Sequence, residues 1–413
     1  YEIMGQLVGA DGQLVGAMRR YSDMGSVDTD TAFDAVTPDV AWHSFMNVVT
    51  VVWAADDDLG ALTDGRFEVY GQLVKGSSGN EGGANDFRIT YSLADDKGND
   101  VLEPTVAVEP GTERWFVAFE ADISDDGIHQ SEIWMYGCNA DLPDGAGSIV
   151  SQAGGSIFDD VSARNPDLAW VPSSSELVCV WEAEVSGIDP QGIFGQRLDT
   201  AGNVLGGPIY FSDGAGVPFG AFLEAIYPSI TVDPITDEWF VAWRGALNNG
   251  LPHFDHEVWA RRFDDLGNPV DTAAFQLSGM DPSLGPVAGA GAPAVAINGT
   301  HGYKLIAWSG DLDSTSGDEH EIFVQAWSDD GASPVDETPA AKAFALHGAA
   351  PNPFNPSTTI AFDLPRAATV NLTIYDASGR VVRRLLSQGP GLAGRNEVVW
   401  NGRDDSGRQV SSG

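Results

Sequence analysis

Pro228-Ser-Ile-Thr-Val-Asp-Pro-Ile-Thr-Asp-Glu-Trp-Phe-Val-Ala-Trp243 decides the fold, because the chain writes this pattern five times. A proline opens each copy and an aromatic closes it 15 residues later: Pro38 and Trp53, Pro104 and Phe119, Pro166 and Trp181, Pro228 and Trp243, Pro293 and Trp308. The copies start 62 to 66 residues apart, a period that belongs to propellers and arrays rather than helical solenoids. Within the quoted copy, Pro228 to Val232 reads as one strand, Asp233 to Asp237 as a polar turn, and Trp239 to Trp243 as a second strand. A short, nearly all-apolar run between turn signals suits a strand buried on both faces.

Reading outward, a longer loop leads to a third run in which alternation is clearer: Glu68 to Gln72, Glu132 to Tyr136, Ile193 to Gln196, Glu257 to Arg261 and Glu321 to Gln325. Glycine turns follow at Asp199-Thr-Ala-Gly202 and Asp264-Asp-Leu-Gly267, where glycine supplies positive φ cheaply. A fourth run closes the unit at Ile209 to Ser212 and Phe275 to Ser278. Four antiparallel strands cannot bury both faces alone, and stacking such sheets around an axis gives an all-β fold, a β-propeller. Residues 1–24 match only the second half of a unit, with Glu2 to Gln6 as its third strand, Asp11-Gly12 as the hairpin and Ala17 to Ser22 as its fourth. The expectation is therefore six blades over residues 1–338, with five or seven as alternatives. The other half of the first blade would lie upstream or come from another molecule.

The texture changes after Pro334, with 339–342 expected as a linker and 343–413 as a separate small β-sandwich of short strands and turns. Pro351-Asn-Pro-Phe-Asn-Pro-Ser-Thr-Thr-Ile360, Tyr375-Asp-Ala-Ser-Gly-Arg380 and Trp400-Asn-Gly-Arg-Asp-Asp-Ser-Gly407 carry a resemblance. They resemble the immunoglobulin-like domain shared with the flagellar hook-capping protein, versions of which end many secreted bacterial proteins. The resemblance implies a secretion and surface-sorting module of the type IX kind, and hence an extracellular or cell-surface location. Family members continue past the Ser-Ser-Gly at which this chain stops, so the module reads as incomplete, processed or completed by a neighbour.

The balance of 21 Lys and Arg against 60 Asp and Glu gives a formal charge of −39. Phosphate backbones need cationic partners, so nucleic acid is a poor fit, and anionic membrane surfaces are equally unfavourable. No run approaches the roughly 18 apolar residues that a membrane-spanning helix requires. The first residue is Tyr1 and no signal peptide precedes it, which reads as a mature or partial chain. Two cysteines, Cys138 and Cys179, are too few for a disulfide scaffold; a bridge between adjacent repeats is conceivable, and a buried thiol in an apolar strand is the plainer reading.

An acid stands three residues after the second-strand aromatic in four copies: Asp56, Asp122, Glu184 and Asp311. Carboxylates converging on one mouth repel unless a cation neutralises them, and hard oxygen ligands in loops suit Ca²⁺. The same residues also read as solvated loop charges, because no Asp-x-Asp-x-Asp-Gly loop is present. A second repeated acid opens the third strand at Glu2, Glu68, Glu132, Glu257 and Glu321, and reads as architectural. His129, His256 and His320 precede third strands, with His253 close by, and make a weak metal signature. Gly-x-Ser-x-Gly and phosphate-cradling loops are missing.

These features lead to the expectation of a non-catalytic structural or adhesive propeller protein of the bacterial cell surface. It would self-associate as a homo-oligomer, a filament or a sheath subunit by strand complementation, or bind a surface partner. The alternative is a polysaccharide-binding or glycoside-processing propeller with its site in the acidic mouth, where the equivalence of carboxylates among repeats counts against catalysis.

Overall fold

A computed structural model describes residues 1–9, 13–22, 24, 33–56, 66–76, 78–90, 100–121, 131–140, 142–144, 147–151, 162–185, 188–212, 222–247, 256–279, 289–298, 303–310, 321–328, 331–332, 345–350, 357–364, 368–376, 379–391 and 394–410. The chain divides into two compact units, Tyr1–Ser333 and Pro334–Gly413. All regular structure among the described residues is β.

Unit 1 opens with an antiparallel pair, β1 (Met4–Val8) and β2 (Leu14–Arg20). Five sheets follow, with strands paired in chain order in four of them; in the second, the last two short strands both pair with the third. Sheet one is β3 (Ala35–His43), β4 (Val48–Ala55), β5 (Glu68–Lys75) and β6 (Glu81–Arg88). Sheet two is β7 (Val101–Val108), β8 (Arg114–Ala121) and β9 (Glu132–Asn139), edged by the short β10 (Leu142–Pro143) and β11 (Ser148–Ile149). Sheet three is β12 (Ala163–Val171), β13 (Glu176–Val185), β14 (Ile188–Leu198) and β15 (Val204–Tyr210). Sheet four is β16 (Phe222–Val232), β17 (Trp239–Leu247), β18 (Glu257–Phe263) and β19 (Phe275–Gln276). Sheet five is β20 (Ala290–Asn298), β21 (Tyr303–Gly310), β22 (Glu321–Ser328) and β23 (Gly331–Ala332).

The 15-residue offset has a structural reason. The closing aromatic of each second strand lies opposite an aromatic of the third: Trp53 and Tyr70, Phe119 and Trp134, Trp181 and Phe194, Trp243 and Trp259, Trp308 and Phe323. Such cross-strand pairs fix register and contribute up to about 1 kcal/mol each. Neighbouring sheets share apolar clusters, as where Val178, Val180 and Ile193 of sheet three pack with Ile230, Trp239 and Trp243 of sheet four. Burial of such large side chains stabilises by about 1.5–3 kcal/mol apiece. Each first strand carries a bulge ending at or just beyond its proline, which has no N–H for the ladder. The residue ahead of that proline is left-handed in four sheets, with φ of 47° at Thr37, 49° at Glu103, 49° at Asn165 and 51° at Tyr227. Such conformations cost of order 1–3 kcal/mol in non-glycine residues and concentrate at functional sites.

The acid opening the third strand is a latch at four of its five positions. The Ser22, Thr90, Ser151 and Ser278 hydroxyls donate to Glu2, Glu68, Glu132 and Glu257. Each hydroxyl also accepts the N–H of the residue after its glutamate, from Ile3 at 2.8 Å, Val69 at 3.0 Å, Ile133 at 2.9 Å and Val258 at 2.7 Å. In sheet three, Gly192 stands in place of the glutamate and Ser212 still accepts from Ile193 at 3.0 Å. The latch at Glu2 and Ser22 makes β1 and β2 the counterpart of a sheet's outer half. That pair packs Ile3 and Tyr21 against Val51 and Trp53 of sheet one. At the other end of the array, Ile322 of sheet five is 71% exposed, whereas its counterparts Ile133, Ile193 and Val258 are fully buried.

Cys138 and Cys179 are separate buried thiols in different clusters, and burial pushes both thiols up. They form no bridge.

Unit 2 has a three-stranded sheet of β24 (Ala345–Ala350), β25 (Thr358–Leu364) and β28 (Gly394–Trp400), and a pair formed by β26 (Ala368–Tyr375) and β27 (Val381–Gly391). Trp400 is buried and donates its indole N–H to the Arg403 carbonyl at 2.9 Å. The turn after it is closed by Asp404, which accepts the Ser406 and Arg408 N–H groups at 2.9 Å each and is held at about 2 by the Ser406 hydroxyl and these N–H groups.

Candidate functional site

The ends of the second strands and the starts of the first strands meet at one edge of unit 1, and there glutamates collect. Glu120 follows Phe119 at the end of β8, and Glu182 follows Trp181 on β13. Both reach the next sheet. Glu120 Oε2 accepts the Asn165 N–H at 3.2 Å, and Glu182 Oε2 accepts the Tyr227 N–H at 2.7 Å. Those donors are the left-handed residues ahead of Pro166 and Pro228, so the strained backbone aims its N–H groups at the carboxylates.

Glu103 and Glu224 complete the group. Burial raises Glu103, and the charge of Glu182 raises it further. Burial likewise raises Glu182, against the pull of the Tyr227 N–H, the Asn165 side chain and the Arg164 charge, while Glu224 adds to the rise. Glu120 is lifted to about 7, first by burial, with Glu103 and Glu182 adding repulsion and Asn165 and Arg164 opposing it. His256 Nε2 lies 2.9 Å from Glu224 Oε2. A carboxyl that keeps its proton near neutrality beside others that can ionise is the arrangement general acid–base chemistry uses.

Of the predicted cation ring, only the Asp56 side chain lies among the described residues. Asp56 is buried, and its carboxylate accepts the Asp34 N–H. Asp122 and Asp311 lie outside the described residues, as does the side chain of Glu184, whose backbone is in β13. His129, His253 and His320 also lie outside them. Among the described residues no three His, Cys, Asp or Glu side chains come together as a metal site.

Of the acids that gather, Glu103 and Glu224 lie on first strands, and Glu120 and Glu182 stand one residue beyond the repeat aromatic rather than three. Glu120 and Glu182 are answered there by Ala54, Arg244 and Ser309 in the other copies, so the five positions are not equivalent. That break in the repeat was the available signal.

Residues 350–413 match the family model of the FlgD Ig-like domain. The match bears out the resemblance read from the C-terminal motifs. The chain matches no curated protein. Among solved structures it is similar to an α-L-arabinofuranosidase from Lactobacillus brevis, at 13% identity over 72% of this chain and 92% of that one, with a TM-score of 0.42. It is similar to an endo-arabinase from Bacteroides thetaiotaomicron, at 13% identity over 70% and 92%, with a TM-score of 0.40. It is also similar to a Hadza microbial sialidase, at 14% identity over 78% and 62%, with a TM-score of 0.47. At these identities no residue role carries over. These enzymes run against the expectation of a non-catalytic structural or adhesive subunit assembled as a filament or sheath, and that expectation is corrected. The physical reason lies in the strands themselves: carboxylates at unequal positions and with unequal surroundings are what a purely repetitive scaffold would lack.

Proposed function

We propose that unit 1 is a β-propeller that binds and hydrolyses a polysaccharide in the acidic mouth formed by Glu103, Glu120, Glu182 and Glu224. Five sheets would be full blades, and β1 with β2 the outer half of a sixth. The repeated latch and the face of sheet five bearing Ile322 support that count. Glycoside cleavage needs one carboxylic acid to protonate the leaving oxygen and one carboxylate to serve the opposite face of the sugar. Glu120, titrating at about 7, is assigned as the proton donor. Glu182, which holds the Tyr227 N–H, is assigned as the ionised partner. The raised titration of Glu120 among three other glutamates is the observation that carries this reading. The surplus of negative charge favours neutral sugars over uronates or sulfated chains.

Migration through gels cast with neutral or with anionic polysaccharides tests the binding step. Retardation by a neutral glycan, relieved in Glu182→Gln, supports the reading. Unretarded migration in every neutral gel opposes it.

Unit 2 is proposed as a sorting or attachment module of the type IX kind that places the protein outside the cell. The family match at residues 350–413 supports this. A reporter fused to residues 334–413 and exported in a bacterium with that pathway would test it, and retention of the fusion in the cell would count against it.

A further inference from the structure

In four of the five repeats the residue after the proline belongs to a hydrogen-bonded belt that crosses the first strands: Asp39 on β3, Thr105 on β7, Asp167 on β12 and Ser229 on β16. Thr105 Oγ1 lies 3.0 Å from Asp39 Oδ2 and 2.9 Å from Asp167 Oδ1. The Ser229 hydroxyl donates to Asp167 Oδ2 at 3.0 Å and accepts the Val295 N–H of β20 at 3.2 Å. Backbone N–H groups of the following strands reach the same carboxylates, from Val106 to Asp39 Oδ2 and from Ile230 to Asp167 Oδ2, each at 2.8 Å. The remaining oxygens take the Val40 and Leu168 N–H groups, also at 2.8 Å each.

Counting hydrogens shows what this belt lacks when both acids are ionised. A threonine hydroxyl carries one hydrogen, and an ionised carboxylate only accepts. Thr105 can therefore satisfy Asp39 or Asp167, and the other oxygen–oxygen contact is left without a hydrogen. One added proton on either carboxyl, donated to Thr105 Oγ1, completes both contacts. No Lys, Arg or His among the described residues is paired with either acid to stabilise the doubly charged form. Among the described residues, Cys179 of β13, a buried thiol whose Sγ lies 3.9 Å from the Val180 carbonyl, feels the charge of Asp167.

We propose that Asp39 and Asp167 hold a single proton between them through Thr105, and that this proton locks β3, β7 and β12 together in acid and is released as pH rises. Burial raises both carboxyls, and the charge of Asp39 adds to the rise of Asp167, which titrates at about 6. The folded chain therefore binds the proton more tightly than the unfolded chain, whose aspartate titrates near 3.8. The extra stability is fully present below that value, fades as pH climbs to about 6 and is absent above it. The belt lies two residues beyond the left-handed Asn165 and Tyr227 that serve Glu120 and Glu182, and it stands whether or not the mouth processes a glycan.

Carboxyl-carbon NMR of the full chain labelled at aspartate tests this. One proton taken up near pH 6 by the Asp39 and Asp167 pair, and the second only at lower pH, is the expected pattern. Asp39→Asn supplies a permanent N–H in place of the shared proton, so the Asp167 titration should move down toward its ordinary value. Both carboxyls titrating below about pH 4.5 in the wild-type chain would overturn the proposal, as would an Asp167 titration unmoved by Asp39→Asn. Should that variant not fold, the wild-type titration alone decides.

Discussion

Replacing Glu120 by Gln should flatten the pH dependence of stability of unit 1. Glu120 accepts the Asn165 N–H, and a glutamine oxygen can accept the same bond, so the local geometry is kept. The difference between its ordinary value of 4.5 and about 7 in the fold corresponds to roughly 3 kcal/mol, since each tenfold change in proton affinity is worth about 1.36 kcal/mol. Because the folded value is raised, the folded chain holds a proton that the unfolded chain has lost between pH 4.5 and 7. Wild-type stability thus falls through that window and levels above it. Glu120→Gln carries no ionisable group there. It should match the wild type near pH 4 and exceed it by about 3 kcal/mol at pH 8, about 4 °C in midpoint for a unit of this size. Denaturant titrations of both chains at five pH values, read by tryptophan fluorescence, measure the difference. Parallel curves from pH 4 to 8 would refute the buried, mutually repelling placement of Glu120.

The latch and the packing of sheet three make further predictions. Ser278→Ala removes the hydroxyl that serves both Glu257 and the Val258 N–H, and should cost about 1–3 kcal/mol in denaturant unfolding. A cost below about 0.5 kcal/mol would mean the latch is ornamental. Gly195→Ala would bring a Cβ within 2.5 Å of the Cys179 carbonyl oxygen and 2.6 Å of the Phe211 ring, so β13 or Phe211 must shift. A loss of about 1–3 kcal/mol is expected from such overpacking, and an unchanged midpoint would contradict the close approach.

Much of the architecture could be read in the sequence because its determinants are local and repeated. The proline marks a strand that tolerates a bulge, the aromatic 15 residues on marks its partner's end, and the glutamate of the third strand marks the latch. The site was harder to read. Glu120 and Glu182 sit toward the ends of apolar strands, where a lone acid in the sequence looks like any loop charge. Their partners, the N–H groups of Asn165 and Tyr227, lie 45 residues away in the next sheet, and the left-handed turn that aims them has no glycine to announce it. The belt is equally silent, since an aspartate, a threonine and a serine after a proline are common turn residues. Only the packing of one first strand on the next puts them in line.

The most direct test of the glycan-processing account is the release of reducing ends from a panel of neutral polysaccharides by wild type, Glu120→Gln and Glu182→Gln, each shown to be folded. The account predicts release by the wild type that declines above about pH 7 and at least a hundredfold loss in both variants. No release from any neutral polysaccharide, or variants as active as the wild type, would contradict it.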